Sequence, residues 1–143
     1  MHIPIGAVIL SVALFGAALS GCSTPIASGP NGTVAESRIY IKDMTRPAPG
    51  LVEVQFVRGE TLLRNATQMD VSINDVLLAT MLPKEHFSIW VKPNTYRFNV
   101  KTYITLANTA DNGNELELQV KDRGIYHLQI SSGLQNLTLK QVD

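Results

Sequence analysis

From Arg38 onward, apolar and polar residues alternate in short runs. Val52, Val54 and Phe56 interleave with Glu53 and Gln55, and Val71 and Ile73 run into Asn74-Asp75, with Leu77 to Leu82 following. Phe87, Ile89 and Val91 alternate with Ser88, Trp90 and Lys92, and Tyr96, Phe98 and Val100 with Arg97, Asn99 and Lys101. Leu116, Leu118 and Val120 alternate with Glu115, Glu117 and Gln119, then Tyr126, Leu128 and Ile130 with His127 and Gln129, and Leu137 and Leu139 close the chain. Ile39 and Ile41 flank Tyr40 in the same way, which predicts a first short strand. Alternation over four to eight residues between turn signals is the mark of half-buried strands. The pattern predicts an all-β domain, an antiparallel β-sandwich of about seven strands over residues 36–143. Lys92-Pro93-Asn94-Thr95 has proline at the second turn position. Read as a two-residue hairpin loop, it sets Trp90 opposite Arg97 on the polar face, a pairing suited to a cation–π contact of about 0.5–1 kcal/mol.

The first 35 residues follow a different rule. The chain of 143 residues carries 12 Lys+Arg and 12 Asp+Glu, and all of these charges lie from Glu36 onward. Ile3 to Leu19 is a continuous, largely apolar run ending in Ser20-Gly21-Cys22. That is the short limit for a spanning helix, and small residues after it read as a processing site. Leu19-Ser20-Gly21-Cys22 resembles the bacterial lipobox, which implies that residues 1–21 are a removable signal peptide and that Cys22 becomes the acylated N-terminus. The initial residues lack Lys and Arg and offer only His2, a departure from the usual positive start. Ser23 stands where an aspartate retains lipoproteins in the inner membrane of enterobacteria, so the resemblance implies the outer membrane, facing the periplasm. Residues 22–35, rich in Ser, Thr, Pro, Gly and Ala, read as a flexible tether with a typical reach of roughly 20 Å.

Within the domain, Arg38-Ile39-Tyr40-Ile41, then Val71 to Ala79 around Asn74-Asp75, then Phe87 to Val100 around Pro93, then Leu116 to Ile130 with Gly124-Ile125-Tyr126, occur in that order. Order and spacing resemble the small bacterial lipoproteins of the DUF2846 type, covering roughly Arg38 to Ile130. The resemblance implies a transthyretin-like or carboxypeptidase-regulatory-like sandwich and no catalytic residues. Asp75 and Asn94 stand where that family has glycine, and both residue types tolerate a left-handed backbone.

Composition narrows the chemistry. Zero net charge argues against general nucleic-acid binding, which needs a basic field. The single cysteine excludes an intrachain disulfide. His86 and His127 fall at polar strand positions outside any ligand-spaced cluster, and Glu115 and Glu117 read as a solvated strand face that discourages edge pairing. No G-x-S-x-G elbow or phosphate-binding glycine loop occurs. The sequence therefore points away from catalysis, a cofactor or a metal. Trp90, with Arg97 and Tyr103 nearby in sequence, is the candidate partner surface, because Trp, Tyr and Arg are enriched in binding hot spots. The expected partners are the membrane, through lipid on Cys22, and an envelope protein or glycan. An inhibitor or effector acting through the loop Asn108–Asn114, or an enzyme with a site of another kind, are the alternatives.

Overall fold

The computed structural model describes residues 26–61, 68–102, 113–132 and 137–143. Eight strands form within them: β1 Val52–Thr61, β2 Met69–Ile73, β3 Val76–Met81, β4 His86–Val91, β5 Asn94–Thr102, β6 Gly113–Val120, β7 Ile125–Ser132 and β8 Leu137–Val142. They build two four-stranded sheets, in the orders β4-β1-β7-β8 and β3-β2-β5-β6. The chain is a β-sandwich, as the alternation predicts. Most pairings are antiparallel, but β1 and β7 run parallel, with Val54 beside Tyr126 and Phe56 beside Leu128.

The inward set of each strand makes the core. Val52, Val54 and Phe56 of β1 meet Phe87, Ile89 and Val91 of β4, Phe98 and Val100 of β5, and Leu128 and Ile130 of β7. Phe56 stacks on Phe87 at 4.9 Å between ring centroids and meets Phe98 of the other sheet edge-on at 5.4 Å. This aromatic trio joins the two layers. Phe56→Ala removes the shared ring and is expected to cost about 3–5 kcal/mol in urea unfolding, while Val57→Ala, on the outward face, changes stability by less than about 0.5 kcal/mol. Similar losses at both positions would contradict this placement of the core.

The turns divide into those that stay within a sheet and those that change sheets. Asn74 and Asp75 both take positive φ, 46° and 66°, and Ile73 pairs with Val76. This is the two-residue hairpin turn whose twist matches the flanking strands, and Asx residues enter it readily. Asn74 also holds β5 by two hydrogen bonds: its amide donates to the Arg97 carbonyl at 2.7 Å, and its Oδ1 accepts from the Arg97 amide at 3.0 Å.

The turn at Pro93 behaves differently from the expectation. β4 and β5 lie in different sheets, so Lys92-Pro93 carries the chain across the sandwich and forms no hairpin. Trp90 therefore faces Glu53 on β1, and Arg97 faces Glu117 on β6. The physical reason is that both strands present buried alternate residues to one shared core, a condition met equally by paired and by stacked strands.

The segment around Ile39 also departs from the prediction. Glu36–Arg38 and Lys42–Thr45 are 3₁₀ turns, and Ile39 makes a single bridge to Ala79. The first regular strand among the described residues is β1.

Candidate functional site

Each sheet leaves two edge strands, and the sandwich closes both of its open sides. On one side the Leu139 amide of β8 donates to Asn114 Oδ1 of β6 at 3.0 Å. On the other, the segment Ile26–Tyr40 straps β4 to β3. Thr33 bridges His86 in parallel, the Val34 amide donates to the His86 carbonyl at 3.1 Å, and Val34 is buried in the core. Further along, Ile39 bridges Ala79 and the Tyr40 amide donates to the Leu78 carbonyl at 2.9 Å. Most of the stretch that reads as a tether is thus docked on the domain.

Local sequence explains the docking. Pro30-Asn31-Gly32 makes a tight turn in which Asn31 and Gly32 both take positive φ, 55° and 76°. The Gly29 amide donates to the Thr33 carbonyl at 2.8 Å across that turn, and a Cβ on Gly29 would lie 2.7 Å from Thr33 Oγ1. Only glycine permits so close an approach without displacement.

A cluster of buried charges fastens the strap. Arg38 donates from its two terminal nitrogens to both carboxylate oxygens of Glu85, at 2.8 and 2.5 Å. It also donates to the carbonyls of Thr80 at 2.7 Å and Ala27 at 3.1 Å. Glu85 is completely buried in the β3–β4 crossover. Its carboxylate additionally accepts from the Leu82 amide at 2.7 Å. Burial pushes the Glu85 carboxyl up, but the Arg38 hydrogen bonds, the Leu82 amide and the Ser28 hydroxyl outweigh burial and hold it below the ordinary 4.5.

Arg58 is buried beside the pair and donates to the Met81 carbonyl at 2.5 Å. Burial pushes its guanidinium down to about 10, against the opposing pull of Glu85, so it stays charged at neutral pH. Two arginines and one glutamate therefore bind the strap, the end of β1 and the β3–β4 crossover into one unit.

Between the strap and β3 lies an open cleft of about 550 Å³, bordered by Ile26, Ala35, Arg38, Tyr40, Gln68 and Thr80. The Tyr40 and Thr80 hydroxyls are 3.3 Å apart, and Thr80 donates to Asp70 Oδ1 at 2.6 Å. Arg38 at this cleft is engaged in holding the strap, and the exposed side chains of Ile26 and Tyr40 border it.

The residues singled out from sequence are dispersed. Cys22 and Tyr103 lie outside the described residues, as does most of Asn108–Asn114. Trp90 is half-buried on the outer face of edge strand β4, beside Glu53, whose carboxylate accepts from the Ser88 hydroxyl at 2.6 Å. Arg97 lies on the outer face of the other sheet, ion-paired to Asp75 and, at 3.6 Å, near Glu115. Trp90 and Arg97 thus do not form the single face expected of them.

His127 shares a 2.8 Å hydrogen bond with Gln55 across β7 and β1, and His86 sits under the strap at Thr33. Among the described residues, no three His, Cys, Asp or Glu side chains gather where they would hold a metal ion. Nor, among them, is any helix long and apolar enough to cross a membrane. No family model, curated protein or solved structure matches the chain.

The buried charges were not singled out from sequence, although two of them carry a signal. Arg58 continues the inward phase of Val52, Val54 and Phe56, and Glu85 precedes Phe87, Ile89 and Val91 in the inward phase of β4. A charge in the inward phase of two strands marks a buried ionic contact. Arg38 carries no such periodic mark, because the strap is not a strand.

Proposed function

We propose that this chain is a lipid-anchored protein of the bacterial envelope, whose β-sandwich binds or supports a further envelope component, a protein or glycan, without catalysis. The observation that carries the reading is Leu19-Ser20-Gly21-Cys22 at the end of the apolar run Ile3–Leu19, with every Asp, Glu, Lys and Arg placed after it. The resemblance to the DUF2846-type lipoproteins supports the same reading, and Ser23 favours the outer membrane. The arrangement of charges supports a non-catalytic role: Arg38 and Glu85 are committed to fastening the strap. Trp90 is the anchor we assign to the partner-binding face, now without Arg97, which belongs to the opposite sheet.

Intact-mass analysis of protein purified from bacterial membranes tests the anchor. The expected product begins at Cys22 and carries the added mass of a diacylglyceryl group with its acyl chains. A product that retains residues 1–21, or begins at Cys22 with a free thiol, would refute it.

A further inference from the structure

We infer that the end of the sandwich bearing Ile26 and Tyr40 rests against the lipid surface, held there by a leash only a few residues long. The inference deepens the proposed function and rests on acylation of Cys22. Its basis is where the docked chain begins. Ser23, Thr24 and Pro25 alone separate Cys22 from Ile26, so four Cα-to-Cα steps span at most about 14 Å.

Beyond Ile26 the chain is fastened. The Ala27 carbonyl accepts from Arg38, the Ser28 hydroxyl reaches Glu85, and Val34 is buried in the core. A tether of fourteen free residues would let the domain tumble above the bilayer. Docking leaves so few residues between Cys22 and the fastened chain that one end of the domain must stay at the headgroups.

Topology identifies that end. The strap enters beside Gln68 and Thr80, and the β3–β4 crossover with Glu85 lies at the same end. Asn74-Asp75, Lys92-Pro93 and Lys121–Gly124 turn at the opposite end, since Ile73 pairs with Phe98 and Asn94 with Val120. The nine residues of β5 separate the two ends by about 30 Å.

The side chains suit a lipid interface. Ile26 is 60% exposed and Tyr40 54% exposed, and both border the same cleft. An exposed isoleucine supplies apolar area, and a tyrosine has the mixed character that favours the headgroup level. Lys84 and Glu60, at this end, are ion-paired with each other and leave no net charge between them. Seating is assigned to the leash and to apolar contact.

The test uses the acylated full protein, purified from membranes and reconstituted in phosphatidylcholine vesicles containing chain-brominated phosphatidylcholine. Trp90 is the only tryptophan, so Trp90→Phe gives a background for a single reporter. Ile26→Trp places it at the leashed end, beside Gln68 and Thr80, and Val76→Trp at the far end, where Val76 is 53% exposed. Lipid quenching is expected to be several-fold stronger for Ile26→Trp than for Val76→Trp. A long Gly-Ser insertion between Pro25 and Ile26 is expected to bring the two towards equality.

Equal quenching without the insertion overturns the orientation. A difference that survives the insertion overturns the leash as its cause. Intact mass on the same samples separates the two levels of argument: missing acyl mass refutes the anchor and the leash together, whereas acylated protein with equal quenching refutes the orientation alone.

Discussion

Glu85→Ala is expected to destabilise the domain by about 3–5 kcal/mol, because it strands a buried arginine without its counter-charge. Arg38 would keep the Thr80 and Ala27 carbonyls but lose both carboxylate contacts, and Arg58 would lose the nearby negative charge that favours its ionised form. For a domain of this size the loss corresponds to a fall in Tm of roughly 10–20 °C. The paired replacement Arg38→Met/Glu85→Leu is expected to be less damaging than Glu85→Ala alone, since removing both partners leaves no orphaned charge at that contact. Recovery stays partial while Arg58 remains. Thermal unfolding of the three proteins decides the matter: a double variant as damaged as the single one would show that packing, rather than the stranded charge, sets the cost.

The same carboxylate makes a prediction about pH. The folded-state value of Glu85 is depressed below 4.5, so its contribution is fully present at neutral pH and is lost as pH falls below about 4.5 through the folded value. Glu36 and Glu60 are also lowered, by hydrogen bonds from Lys42 and Lys84, but both are exposed and their contributions are small and screened by salt. The acid-sensitive part of stability that survives high salt should therefore vanish in Glu85→Ala. An unchanged acid limb in that variant would remove Glu85 as its source.

Under the proposed function, Cys22→Ala is expected to abolish fatty-acid labelling entirely and to leave residues 1–21 attached, because in the processing that a lipobox implies the thiol receives the lipid and cleavage follows acylation. The physical weight of the lipid is large. At about 0.8 kcal/mol per buried methylene, one long chain binds a membrane marginally and two anchor it durably. If the leader of that variant is also replaced by a general secretory one, cut just before the substituted position, the domain should leave the membrane fraction. Its melting temperature should stay near that of the anchored protein, since Cys22 precedes the fastened part of the strap, which begins at Ala27. A Cys22→Ala chain that still carries fatty acid would rule out the lipobox reading.

Placement of residues inside or outside was legible along the chain, because a strand turns alternate side chains to opposite faces and the core selects the apolar set. Val52 to Phe56, Phe87 to Val91 and Leu128 to Ile130 face inward as their alternation requires. The hairpin at Asn74-Asp75 was equally local, since both residue types enter the left-handed region that this turn demands. Which sheet a strand joins is a different kind of information. Period-two alternation is the same for a strand paired beside its neighbour and for one stacked across the core, so Lys92-Pro93 read as a hairpin although it crosses between sheets. Tertiary structure alone separated Trp90 from Arg97 and set β1 parallel to β7.

The docked strap marks the same boundary. Its composition, free of charge from Ile26 to Ala35 and rich in Ser, Gly and Pro, describes a chain with little to bury and predicts a flexible tether. It is ordered instead by groups remote in sequence: Glu85 through Arg38, and the exposed edges of β3 and β4. Those edges exist only once the two sheets have assembled. The sequence by itself determined the all-β character, the inward and outward sets and the position of the cysteine, because each depends on residues close together in the chain. The docking of the strap depends on an ion pair 47 residues apart, and only the folded sandwich brings its two partners together.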